Sequence, residues 1–138
     1  MNTRPLIITL ALFAFAASGC ATRQLYVAHG QDRAAGADGD ISIERQETGN
    51  FVVETAVDNL LPPERFGDGL STYVVWFQGP EDRPHRVGHL SYDERDRSGE
   101  MMATTAYSSF NVIITGEMAA DVVSPSENVV FRARVESP

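Results

Sequence analysis

The sequence predicts an all-β domain, a small antiparallel β-sandwich of about seven strands, and three observations carry that prediction. Short alternations of apolar and polar residues recur, separated by turn signals about every 8 to 12 residues. One stretch, residues 71–78, is apolar on both faces, as expected of a central strand whose second face is also covered. No stretch sustains a helical period, although Met118-Ala119-Ala120-Asp121-Val122 has the composition for a single helical turn. A closed barrel is the alternative arrangement of the same strands.

Taken in order, Gly39-Asp40 leads into Ile41-Ser42-Ile43-Glu44-Arg45, which alternates, and Thr48-Gly49-Asn50 makes a turn. In residues 51–58, Phe51, Val53, Thr55 and Val57 share one face. Pro62-Pro63 ends that strand, because consecutive prolines cannot sit inside a ladder, and the stretch through Gly67-Asp68-Gly69 reads as a long polar loop. Residues 71–78 give the strongest strand pattern. A large aromatic on such a strand is where sandwiches often place a core anchor, so Trp76 is expected between the sheets, with Val74 on the same face. Gly79-Pro80 opens a turn, residues 86–92 read as one strand, and the charged run Asp93-Glu94-Arg95-Asp96-Arg97 follows. Met101, Ala103 and Thr105 alternate within residues 99–107, and residues 110–117 form the next strand. After a turn at Ser124-Pro125-Ser126, Val129, Phe131, Ala133 and Val135 point one way while Arg132 and Arg134 point the other.

The start of the chain has a different character. A short polar start with Arg4 precedes about a dozen nearly unbroken apolar residues from Leu6 to Ala17, too few for a bilayer span of about 20. Ala17-Ser18-Gly19 then precedes Cys20, the chain's one cysteine. A charged start, a short apolar core and small residues at a cleavage point make an export signal. Small residues directly before a cysteine resemble the lipobox of bacterial lipoproteins, in which the signal is cut just before the cysteine and its thiol is acylated. Position 17 is Ala where that family more often has Leu. The resemblance implies lipidation at Cys20 and attachment to the membrane through that lipid; Ala21, rather than Asp, implies the outer membrane, with the domain facing the periplasm. Residues 1–19 are then a signal peptide, residues 20–38 the acylated cysteine and a flexible tether, and residues 39–138 the sandwich. Gly30, Gly36, Gly39 and scattered alanines and polar residues give the tether reading, which would let the domain stand about 20 to 25 Å from the bilayer by random-coil scaling. Leu25-Tyr26-Val27 is an apolar island within it, suited to an edge strand or to the headgroup level.

Composition narrows the function classes. The apolar fraction of 43% supports a core, and a formal net charge of -8 repels phosphate backbones, which argues against nucleic acid as a partner. The same charge argues against electrostatic docking on anionic lipid, so the acyl chains must supply the attachment. All basic residues are arginine, which removes lysine chemistry.

Tyr73-Val74-Val75-Trp76-Phe77, Val87-Gly88-His89-Leu90 and residues 110–117 together are similar to the extracytoplasmic domain of anti-sigma-K-type factors. That domain has a tyrosine-x-valine-tryptophan strand and a strand ending in threonine-x-glutamate. The resemblance runs over residues 73–135 and implies an immunoglobulin-like sandwich. Sigma-binding helices and a transmembrane helix have no counterpart in this sequence, so a shared regulatory role is the alternative and not the leading expectation.

Sites with chemistry are few. His85-x-x-x-His89 would place two imidazoles on one strand face, about 13 Å apart at 3.3 Å per residue, too far for one ion. His29 adds no evident third ligand. The run from Asp93 to Asp96 lacks the spacing and central glycine of a calcium loop and reads as a hairpin tip. Glu54 and Glu117 fall in predicted strands, where a facing pair would suit glycoside chemistry. None of the serines lies in a Gly-x-Ser-x-Gly elbow, and no phosphate-binding or dinucleotide motif occurs. Tyr26, Tyr92 and Tyr107 are candidate contact anchors. The expectation is a non-enzymatic, lipid-anchored binding or scaffolding protein with no cofactor and an envelope protein as partner. A small carbohydrate-active or metal-dependent hydrolase is the rival from another class.

Overall fold

The computed structural model describes residues 22–138. In chain order its elements are β1 (Arg23–His29), β2 (Asp38–Arg45), β3 (Phe51–Asp58), the one-turn helix α1 (Pro63–Phe66), β4 (Thr72–Gln78), β5 (His85–His89), β6 (Ser91–Asp93), β7 (Ser98–Thr105), β8 (Ser109–Glu117) and β9 (Val129–Glu136). The strands form two sheets, ordered β1-β2-β3-β7-β6 and β5-β4-β8-β9, and every pairing is antiparallel. With β1 set aside, the first sheet has the A-B-E-D order and the second the C′-C-F-G order of an immunoglobulin-like sandwich.

Alternation explains which residues fill the space between the sheets. Ile41 and Ile43 of β2, and Phe51, Val53, Thr55 and Val57 of β3, are buried against Tyr73, Val75 and Phe77 of β4 and Val112 and Ile114 of β8. Gly39 leaves room here: the Phe131 ring lies 2.6 Å from where its Cβ would stand, so a side chain at 39 would displace that buried ring. Thr55 leaves its hydroxyl buried and without a hydrogen-bond partner in this core.

Nine strands stand where about seven were expected, for two local reasons. Residues 86–92 divide: β5 pairs with β4, and after Leu90 the chain crosses to the other sheet and pairs with β7 as β6. The other extra strand is β1, and it corrects the reading of residues 20–38 as a flexible tether. From Arg23 onward that segment belongs to the sandwich: seven residues pair with β2, and residues 32–34 form a single 3-10 turn. The strand was obscured because its alternation is inverted. Gln24, Tyr26 and Ala28 turn inward, whereas Leu25 and Val27 point out and are each 63% exposed.

The two sheets do not close into a barrel. On the side where β1 meets β9 a side chain fastens them: the Tyr26 hydroxyl donates to the Glu136 carbonyl at 2.7 Å and accepts from the Glu136 amide at 3.0 Å. The Gln31 amide adds a bond to the Val130 carbonyl at 2.9 Å.

The stretch expected to be a polar loop instead caps one end of the sandwich. Pro63 at the first helical position starts α1, and Leu60, Phe66 and Leu70 are buried. Tyr73 and Tyr92 donate to the carbonyls of Leu61 and Leu60 at 2.7 and 2.8 Å, pinning the cap. Residues 118–122 make a turn and not a helical turn.

Candidate functional site

Cys20, the candidate lipidation site, and the signal segment before it lie outside the described residues. Among the described residues, the other candidates separate. His85 and His89 both lie on β5 with exposed side chains, and the His85 ring packs near Tyr107, with centroids 5.8 Å apart. His29 is elsewhere, 3.1 Å from Asp38. Among the described residues, no three His, Cys, Asp or Glu side chains come together as a metal-holding group. Asp93 to Arg97 form the tip of the β6–β7 hairpin: the Asp93 carboxylate accepts from the amides of Arg95 and Asp96 at 2.8 and 3.3 Å, and Arg97 takes a positive φ of 53° to close the turn.

Glu54 and Glu117 do not face one another, because they lie on the outward faces of opposite sheets. Their surroundings differ sharply. Glu117 is buried beneath the loop of residues 118–128, which folds back over the outer face of the second sheet. There the Trp76 indole donates to Thr115 Oγ1 at 2.8 Å, and the Thr115 hydroxyl donates to Glu117 Oε1 at 2.6 Å. The same oxygen accepts from the Ser126 amide at 2.7 Å. Trp76 therefore corrects the expectation that it anchors the space between the sheets. It is fully buried with Val74 on its own face, as expected, but in a second cluster with Ile113, Val122 and Val129 on the far side of the sheet. The inward places on β4 belong to Tyr73, Val75 and Phe77. The network was missed because Glu117 looks like an outward charge in its strand; the signal that could have found it is the spacing of Thr115 and Glu117 on one face beside Trp76.

The outward face of the first sheet is open. Register alone builds it, because cross-strand partners share a face. One row runs Leu25–Ser42–Glu54–Met102 and the next runs Val27–Asp40–Ala56–Glu100–Ser91. Short side chains in the middle (Ser42 and Ala56) and longer ones around them (Leu25, Met102, Arg23 and Glu100) leave a trough of about 500 Å³. From that rim Arg23 reaches inward, donating to Ser42 Oγ at 2.9 Å and Glu54 Oε2 at 2.6 Å, while Ser42 donates to Glu54 at 3.2 Å. Toward β6 it meets a second hollow of about 410 Å³, whose walls include Asp58, Asp93, Asp96 and Glu100. The trough thus has apolar lips at Leu25 and Met102 and an acidic end at β6. Ser42, Glu54 and Arg23 hydrogen-bond to one another, with no histidine among the lining residues. Such a surface combines apolar area at its lips with polar groups between them.

The three tyrosines considered as contact anchors all spend their hydroxyls internally, Tyr26 on Glu136, Tyr92 on Leu60, and Tyr107 on Asp82 at 2.6 Å. Compared with protein-family models, curated proteins and solved structures, the chain has no significant match.

Proposed function

We propose that this chain is a lipid-anchored protein of the bacterial envelope, held in the outer membrane through an acylated Cys20 and facing the periplasm, where its sandwich serves as a non-enzymatic binding or scaffolding module. The observation that carries the reading is the order of residues 6–20: a short apolar run, then Ala17-Ser18-Gly19, then the one cysteine of the chain. Burying acyl chains contributes about 0.8 kcal/mol per methylene, and more than one chain is needed for stable anchoring. The partner surface in this reading is the trough across β1, β2, β3 and β7, whose exposed Met102 suits a protein contact.

Fractionation of the producing cells tests the anchor. The wild-type protein is expected with the outer membrane and Cys20→Ser in the soluble fraction. Full retention of Cys20→Ser in membranes, or native protein with an unmodified thiol by mass spectrometry, overturns the reading. Crosslinking in intact cells from position 102 is the test of the trough, with one specific envelope protein as the expected product.

A further inference from the structure

We infer that the outward face of β1, carrying Leu25 and Val27, lies in the headgroup layer of the membrane that holds the anchor, so that the sandwich stands on its first edge strand in one orientation. The inference rests on the lipidation of Cys20 proposed above and adds what the structure says about the leash. Only Ala21 and Thr22 separate Cys20 from the first residue of β1. Three residue steps reach at most about 11 Å even when fully extended. A tether of that length cannot lift the domain clear of the lipid: β1 is the part of the sandwich nearest the anchor. Leu25 is five steps from Cys20, at most about 18 Å away.

The strand is built for that position. Leu25 and Val27 are two of the few large apolar side chains left open to solvent, each 63% exposed, and both project from the same face of the same edge strand. Their inward neighbours Tyr26 and Ala28 are committed to the sandwich, so β1 can rest on lipid without being pulled out of the sheet. A protein of net charge -8 gains nothing from anionic headgroups, so the contact has to be apolar. Leu25 and Val27 project from the same face of the sheet as the trough, so in this orientation the trough lies close to the membrane with its β1 side against it.

The experiment uses the full lipidated chain. Because Cys20 is the chain's one cysteine and is consumed by acylation, Leu25→Cys, Val27→Cys and Val123→Cys each supply a single free thiol for an environment-sensitive dye. Val123, 92% exposed in the loop over the opposite sheet, is the control. Each labelled protein is reconstituted into phosphatidylethanolamine–phosphatidylglycerol vesicles containing lipids brominated near the headgroup end of the chain. Loss of emission with a blue shift at positions 25 and 27, and neither at 123, is the expected result. Vesicle-bound protein with no loss at 25 and 27, or with equal loss at all three, overturns the orientation while leaving the anchor intact. Quenching that disappears when the protein is diluted within the bilayer assigns the face to a second copy of the chain and overturns the lipid contact. Protein that does not float with the vesicles at all removes the anchor itself, and the orientation with it.

Discussion

The two sheets of this sandwich treat their outward faces in opposite ways. Behind the second sheet, the loop of residues 118–128 covers Val74, Trp76 and Ile113, and a chain of hydrogen bonds from Trp76 through Thr115 to Glu117 fixes the loop at Ser126. Behind the first sheet no loop among the described residues returns over Leu25, Glu54 or Met102, and the same kind of surface becomes a trough. Both faces carry a glutamate, Glu117 at the end of β8 and Glu54 within β3. The buried one serves the fold, and the open one is left with a partly exposed arginine pair. Whether a loop returns over a sheet face therefore decides whether its polar groups are sealed into the fold or left open.

Paired substitutions break or sharpen that contrast. Trp76→Ala should destabilise the protein by about 3 to 5 kcal/mol, because it empties a fully buried indole site and releases the loop, whereas Met102→Ala on the open face should stay within about 0.5 kcal/mol. Urea unfolding measures both, and equal costs would mean that the loop does not seal its face. Glu117→Ala comes next, at about 1.5 to 3 kcal/mol, since the Ser126 amide and Thr115 hydroxyl lose a charged acceptor in a buried place. Glu54→Ala, whose partner Arg23 has a side chain 58% exposed, should cost less than about 1 kcal/mol. A larger loss at Glu54 than at Glu117 would reverse the assignment of the two faces.

The smallest effect is on alkaline stability. Burial, with the nearby Tyr92 and Glu64 charges added, pushes the Tyr73 hydroxyl well above the ordinary tyrosine range, and burial also raises Tyr92. The folded state keeps these protons after the unfolded chain has begun to lose them. Their contribution is therefore complete below about pH 10 and declines as pH rises above it. Tyr73→Phe should flatten that decline; an unchanged slope of stability against pH between 10 and 11.5, read from thermal midpoints, would place the alkaline sensitivity elsewhere.

The sequence was legible where alternation was plain. Phe51, Val53, Thr55 and Val57 on β3 do share the buried face, and the two-faced apolar run of β4 does lie in the middle of a sheet with both faces covered. Which of its two faces looks inward was not legible, because Val74 and Trp76 are as apolar as Tyr73, Val75 and Phe77; only the returning loop distinguishes them. β1 was hidden for the opposite reason, since its apolar residues face outward and its inward set includes Gln24. The trough was out of reach of sequence reading, because it is made by register across four strands and no contiguous motif encodes it.

The bond between Tyr26 and Glu136 joins residues 110 positions apart. While the chain is being made, β1 has no partner on that side until residue 136 has emerged. The free edge of the first sheet is thus closed only after the last strand of the second sheet has been made.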